Sequence, residues 1–145
     1  MLSFDTNLVV YAANSDVPEQ LAAARFINSL ASRKDVVVCE LMLVEVYLKL
    51  RNPRILSCPM GAEAAGAFCM AMRSNPNWQI AESAPVMAEV WALAGKRDFA
   101  FRRIIDARLA LTLRHHRVTE FATSNIKDFD GFGFARVWNP IETPP

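Results

Sequence analysis

The chain of 145 residues holds three cysteines and two histidines and carries a formal net charge of only +1. Each scarcity excludes something. Cys39, Cys58 and Cys69 are odd in number and contain no Cys-x-x-Cys pair, which argues against a disulfide framework or a zinc knuckle. Such cysteines suit a reducing compartment, as core residues. His115 and His116 are adjacent at an expected helix end, where they complement the helix dipole better than they ligate a metal. Sixteen Lys and Arg against fifteen Asp and Glu rule out a polybasic or polyacidic tail as the basis of function. No apolar run approaches the ~18 residues of a membrane span, because Glu40 and Glu45 interrupt the longest one. The opening MLSFDTN lacks the basic patch and apolar stretch of a signal peptide. Linkers, repeats and low complexity are missing too. With 52% hydrophobic and 21% charged residues the chain can bury a core. The expectation is a single globular domain over 1–145, soluble and cytoplasmic.

The even balance hides a local imbalance. Between positions 96 and 117, Lys96, Arg97, Arg102, Arg103, Arg108, Arg114 and Arg117 face only Asp98 and Asp106, while both flanking regions are net acidic. Such a segment is either a solvated helix face or an electrostatic footprint for nucleic acid.

Short apolar runs alternate with helical patterns. Met1–Phe4, Val36–Cys39, Trp78–Ala81, Val118–Ala122 and Ala135–Trp138 read as strands. Leu8–Ala13, a segment opened by Asp16 and Pro18 and running to Ser32, Glu40–Leu50, Ala62–Arg73, Ala84–Lys96 and Arg102–His115 read as helices. The alternation predicts an α/β layer around a parallel sheet, with any ligand just beyond the C-terminal strand ends. Asp5 closes the first strand. Thr123, Ser124 and Asn125 close the fourth.

Carboxylates stand where apolar residues belong. Glu45 lies within Leu41-Met42-Leu43-Val44-Glu45-Val46-Tyr47-Leu48, apolar on nearly every side and expected to be an interior helix. Asp106 lies between Ile104-Ile105 and Leu109-Ala110-Leu111, and Asp5 between a strand and an apolar helix. An unpaired buried charge costs several kcal/mol, so each acid needs a hydrogen bond, a cation or a metal. One such residue is ordinarily structural. Three in separate elements, with few apolar-flanked basic partners, are better satisfied by one shared divalent cation. Oxygen-only ligands favour Mg²⁺ or Mn²⁺ over Zn²⁺.

Four strings carry a resemblance: Phe4-Asp5-Thr6-Asn7; Leu43-Val44-Glu45-Val46-Tyr47 running into Leu50-Arg51-Asn52-Pro53; Ile105-Asp106-Ala107-Arg108-Leu109-Ala110; and Thr123-Ser124-Asn125-Ile126-Lys127-Asp128-Phe129. Singly weak, in this order they resemble the PIN-domain family, and within it the VapC toxins of type II toxin–antitoxin loci. The resemblance covers nearly the whole chain, down to Val137-Trp138-Asn139-Pro140. It implies a PIN-like α/β/α sandwich with a mainly parallel central sheet, and Mg²⁺- or Mn²⁺-dependent endoribonuclease activity. It also implies neutralisation by a VapB-like antitoxin. Asp5, Glu45 and Asp106 match the family's acidic triad. For the fourth acid the choice lies between Asn125, where the family often has an acid, and Asp128. The site so implied is Asp5, Glu45, Asp106 and Asp128, with Thr6, Asn7, Arg108, Ser124 and Asn125 as supporting or substrate-facing groups.

The implied chemistry is hydrolysis of RNA phosphodiesters by cation-activated water. Arg102, Arg103 and Arg108, close to Asp106, are then candidates for guiding phosphates. Trp78, Trp91 and Trp138 read as core or interface residues. Helices around Leu8–Ser32 and Glu40–Leu50 are more apolar than one small core needs, which predicts a homodimer and a groove for an antitoxin helix. The alternative from another class is a degenerate, non-catalytic PIN module that binds RNA or protein. A haloacid-dehalogenase-like phosphatase is excluded by the missing second acid at Asp5-Thr6-Asn7.

Overall fold

The structure is a computed structural model and describes residues 1–143. Five three-residue strands, β1 (Leu2–Phe4), β2 (Val37–Cys39), β3 (Gln79–Ala81), β4 (Glu120–Ala122) and β5 (Arg136–Trp138), are spaced by seven helices. These are α1 (Thr6–Ala13), α2 (Gln20–Leu30), α3 (Glu40–Leu50), α4 (Ala62–Arg73), α5 (Met87–Ala94), α6 (Arg103–His115) and α7 (Ile126–Phe129). The strands β1, β4 and β5 pair in that order, as do β2 and β3, and every pair is parallel. A parallel bridge between Leu2 and Val36, with the Leu2 N–H donating to the Asp35 carbonyl at 2.8 Å, joins the two groups. The resulting order β3-β2-β1-β4-β5 puts β1 at the centre. From β1 the chain builds outward on one side through β2 and β3, then returns to build the other side. Ligand crevices form at such reversals.

Burial explains the parallel arrangement. All three residues of β1 and of β2 are inaccessible, as a strand covered on both faces must be. Phe4, Phe121, Phe129 and Leu109 fill the centre, with Phe121 between Phe129 and a stacked Phe134. Trp78 belongs here: its ring meets Phe4 edge-on and its Nε1–H donates to the Leu30 carbonyl at 2.9 Å. Trp138 is buried, whereas Trp91 is exposed.

The α/β expectation holds, and the departures have local causes. Helix α2 starts at Gln20 rather than at the Asp16-Pro18 signal, because Asp16 caps nothing there. Its carboxylate accepts from the Ser57 N–H and hydroxyl, tying down the loop after α3. Helix α5 is shorter than Ala84–Lys96, starting after Pro85-Val86 and stopping before Gly95. Helix α7 is too short to show a period in sequence. Helix α3 has the expected bounds but is not interior: Met42, Leu43, Val46 and Leu50 face the core, while Val44 and Leu48 are 55% and 62% exposed. The cysteines are free, Cys39 buried as expected but Cys58 exposed.

Candidate active site

The central strand pair places the first acid. The Asp5 N–H donates to the Ala122 carbonyl at 2.9 Å, so the β1–β4 ladder continues one residue past the strand and holds Asp5 extended before α1. Its side chain, 7% exposed, accepts from the Thr123 hydroxyl at 2.8 Å. Thr123 is anchored in turn by its own N–H, which donates to the Trp138 carbonyl. The Thr123 oxygen also accepts from the Asn125 N–H at 3.0 Å and the Asn7 amide at 3.4 Å. One hydroxyl thus joins Asp5, Asn7 and the loop carrying Asn125.

Burial pushes the Asp5 carboxyl up to about 6, against the opposing pull of the Thr123 hydrogen bond and the Lys49 charge; the charges of Glu45 and Asp106 add to the rise. Asp106, in the first turn of α6, is half-buried. Burial raises its carboxyl as well, reinforced by Asp128 and Glu45 and opposed by Arg103 and Lys49. These mutual effects place Asp5, Glu45, Asp106 and Asp128 in one electrostatic neighbourhood, drawn from β1, α3, α6 and α7. Glu45 is held by the Thr6 hydroxyl at 3.1 Å. Asp128 is held through its backbone, its N–H donating to the Asn125 carbonyl and its own carbonyl accepting from Arg103 Nη2 at 2.9 Å.

The supporting groups divide. Thr6 bonds a carboxylate, that of Glu45, whereas Asn7 bonds the Thr123 hydroxyl and no carboxylate. Ser124 Oγ and Asn7 Oδ1 are buried without a hydrogen-bond partner. Asn125 contributes its backbone, and its side chain is exposed. Arg108 is exposed, and its charge lowers the Cys39 thiol. Arg103 is turned toward Asp128 and the Phe132 ring instead of lying free for phosphate. The basic partners that looked scarce in sequence are therefore Lys49 and Arg103.

Among the described residues, no three His, Cys, Asp or Glu side chains stand close enough to hold a metal ion among themselves. The donor set nonetheless fits a hard divalent cation of the Mg²⁺ kind, which commonly takes one or two carboxylates and completes its shell with water and substrate phosphate. The unsatisfied oxygens of Asn7 and Ser124, flanking Thr123, are acceptors suited to the water such an ion carries.

Comparison with known proteins supplies the family. The model of the PIN domain matches residues 3–134. The chain belongs to the PIN-domain family. Among PIN relatives, Ribonuclease VapC24 of Mycobacterium tuberculosis, in both strain H37Rv and strain CDC 1551, is 55% identical over 141 residues, covering 97% of each chain. Two solved structures share the PIN fold at low identity. VapC20 of M. tuberculosis, titled a Sarcin-Ricin loop cleaving toxin, has a TM-score of 0.64 at 16% identity, covering 83% of this chain and 87% of that one. FitAcB from Neisseria gonorrhoeae has a TM-score of 0.59 at 17% identity, covering 99% of each.

Two contributors to the PIN site escape a reading of the sequence alone. Lys49 sits one turn after Glu45 on α3, an i, i+4 pair that was a usable signal. Thr123 was legible as a strand-end residue, but its grip on Asp5 depends on the pairing of β1 with β4.

Proposed function

We infer that this PIN-domain chain is a ribonuclease, the toxin of a VapBC-type toxin–antitoxin pair. The observation that carries the reading is 55% identity over 97% of the chain to a VapC ribonuclease, in a PIN domain where the charges of Glu45 and Asp106 bear on Asp5 and those of Asp128 and Glu45 bear on Asp106. We propose further that it is a metal-dependent endoribonuclease and that Mg²⁺ or Mn²⁺ is held among Asp5, Glu45, Asp106 and Asp128, one or two of them binding it directly and the others through its water. Such a cation, when bound, supplies water acidic enough to ionise near neutral pH and offsets charge on the phosphate.

The chain's own groups prepare that site. Thr123 orients Asp5 and keeps its carboxyl from rising further, so that it ionises near neutral pH. Thr6 fixes one Glu45 oxygen, and outer hydrogen bonds of this sort set ligand orientation. Lys49 reduces repulsion between Asp5 and Asp106 until a cation does so. Incubating the chain with structured RNAs, including tRNA, in Mn²⁺, Mg²⁺ or EDTA tests the proposal. Cleavage is expected only with metal. Cleavage that persists in EDTA, or survives Asp5→Asn, overturns the mechanism.

The partner reading rests on apolar surface. Leu43, Val44, Tyr47, Cys69 and Met70 line a groove of about 250 Å³ between α3 and α4, rimmed by Glu40 and Arg73. Leu21 and Leu48 add exposed apolar surface, each more than 60% accessible. Such a groove suits the apolar face of a VapB-like antitoxin helix, with an antitoxin Arg or Lys reaching the carboxylates. We propose a homodimer for the same reason. Among the described residues no helix is long and apolar enough to cross a membrane. An RNA substrate and three free cysteines fit the cytoplasm.

A further inference from the structure

A cavity of about 330 Å³ lies between α5, the loop leading into α6, and the chain that follows α7. It rests on a small separate core of Val86, Val90 and Leu111, packed with Leu93, Ile104 and Phe132. Phe99 and Phe132 give it aromatic surface, and the left-handed Gly131 and Gly133 (φ 88° and 82°) bracket Phe132. Its polar lining is divided in kind: Glu89, Asp98 and Asp130 only accept hydrogen bonds when ionised, whereas Lys96 and Arg103 only donate.

Arg103 joins this cavity to the acids. Its Nη2 donates to the Asp128 carbonyl, its charge lowers the Asp106 carboxyl, and its guanidinium lies 5.5 Å from the centre of the Phe132 ring. Its Nε–H is buried without an acceptor. A buried donor left unmatched is uncommon and calls for an explanation.

We propose that this cavity receives an unstacked guanine of the RNA strand that the acids cleave. The inference rests on the ribonuclease reading and names its substrate feature. Single-stranded RNA is recognised by splaying bases against aromatic side chains and bonding their edges. Guanine is the base that presents a matching edge to both kinds of group in the cavity. Its N1–H and N2–H donors form a pair that one carboxylate accepts, and its O6 and N7 acceptors form a pair that suits Arg or Lys. Adenine, cytosine and uracil offer no adjacent pair of donors to a carboxylate. The exposed Arg97 and Arg102, on the loop that borders the cavity, are placed for the flanking phosphates, which position a strand without reading it.

Binding in EDTA tests the site apart from cleavage. Labelled single-stranded RNAs, identical but for one guanine, inosine or adenine, are titrated with the parent chain and followed by fluorescence anisotropy. The guanine strand is expected to bind about tenfold more tightly than the adenine strand, with inosine, which lacks the N2 amino group, in between. Glu89→Gln, Asp98→Asn and Asp130→Asn combined should bring the ratio to about one. The ratio is the readout, because removing three negative charges strengthens binding to every strand. All three side chains are exposed, and if the triple variant melts early, Asp130→Asn alone carries the test through a reduced ratio. Equal binding of the three strands by the parent, or a guanine preference that the variants leave intact, overturns the proposal. Metal-dependent cleavage by the parent without any guanine preference removes this site and leaves the ribonuclease reading standing. A preference that depends on the three acids, with no cleavage in any metal, does the opposite.

Discussion

Asp5 and Asp128, two of the four candidate acids, are held by opposite means. Asp5 continues a strand, is 7% exposed, and has its carboxylate gripped by Thr123, which is itself anchored to β5. Asp128 sits on a four-residue helix, and the bonds that hold it, from Arg103 and to Asn125, involve only its backbone. The strand wall therefore fixes the position and proton affinity of its acid. The helical wall fixes only where the chain passes and leaves the Asp128 side chain free to meet a ligand. Rigidity on one side and adaptability on the other suit the proposed site, which is to accept both a cation and a bulky phosphate chain.

The comparison breaks first at the acids themselves. Asp5→Asn and Asp106→Asn should each lower RNA cleavage in Mn²⁺ by more than about 100-fold, beyond what loss of a supporting partner costs. In EDTA both variants should melt at or above the parent temperature, since each removes a buried charge repelled by its neighbours. The parent should be stabilised by Mn²⁺ more than either variant, because a ligand of the folded site stabilises only the folded state. An Asp106→Asn chain that melts well below the parent in EDTA, and responds to Mn²⁺ alike, would make Asp106 scaffolding.

Thr123→Val sharpens the contrast by loosening the rigid wall alone. Cleavage should fall by roughly tenfold or more, and stability by about 1 kcal/mol. Loss of the hydroxyl raises the Asp5 carboxyl further, so the acid side of the pH–rate profile should move to higher pH. Arg103→Lys probes the other wall while keeping the positive charge near Asp106. Its effect should be smaller, about tenfold at most, with the acid limb in place. Equal shifts of that limb in both variants would erase the distinction between the walls.

The remaining effect is on stability without metal. Asp5 has a folded value of about 6 against 3.8 for the free group, so between these values the folded chain keeps a proton that the unfolded chain has released. The contribution is fully present below 3.8 and is lost as pH rises through about 6. Urea melts of the parent in EDTA should show this decline, and Asp5→Asn should lack that part of it.

Sequence alone determined the α/β alternation, the five strands and the family-matching acids, because burial demands local patterns: short β-branched runs for covered strands and carboxylates conspicuous among Ile, Leu and Val. It also placed α3 and α4 to the residue, where Asn52-Pro53 and Ser74-Asn75-Pro76 interrupt helical periodicity. It erred in making α3 interior, since an apolar helix reads alike whether its outer side meets this chain or a partner. Tertiary structure decided the rest. Only the pairing of β1 with β4 sets Thr123 against Asp5 across 118 positions, and only the docking of α6 on α7 turns Arg103 from solvent to the Asp128 carbonyl. Hydrogen bonds between distant residues leave no periodic trace, because periodicity records which side of an element is buried and not which atom it meets there.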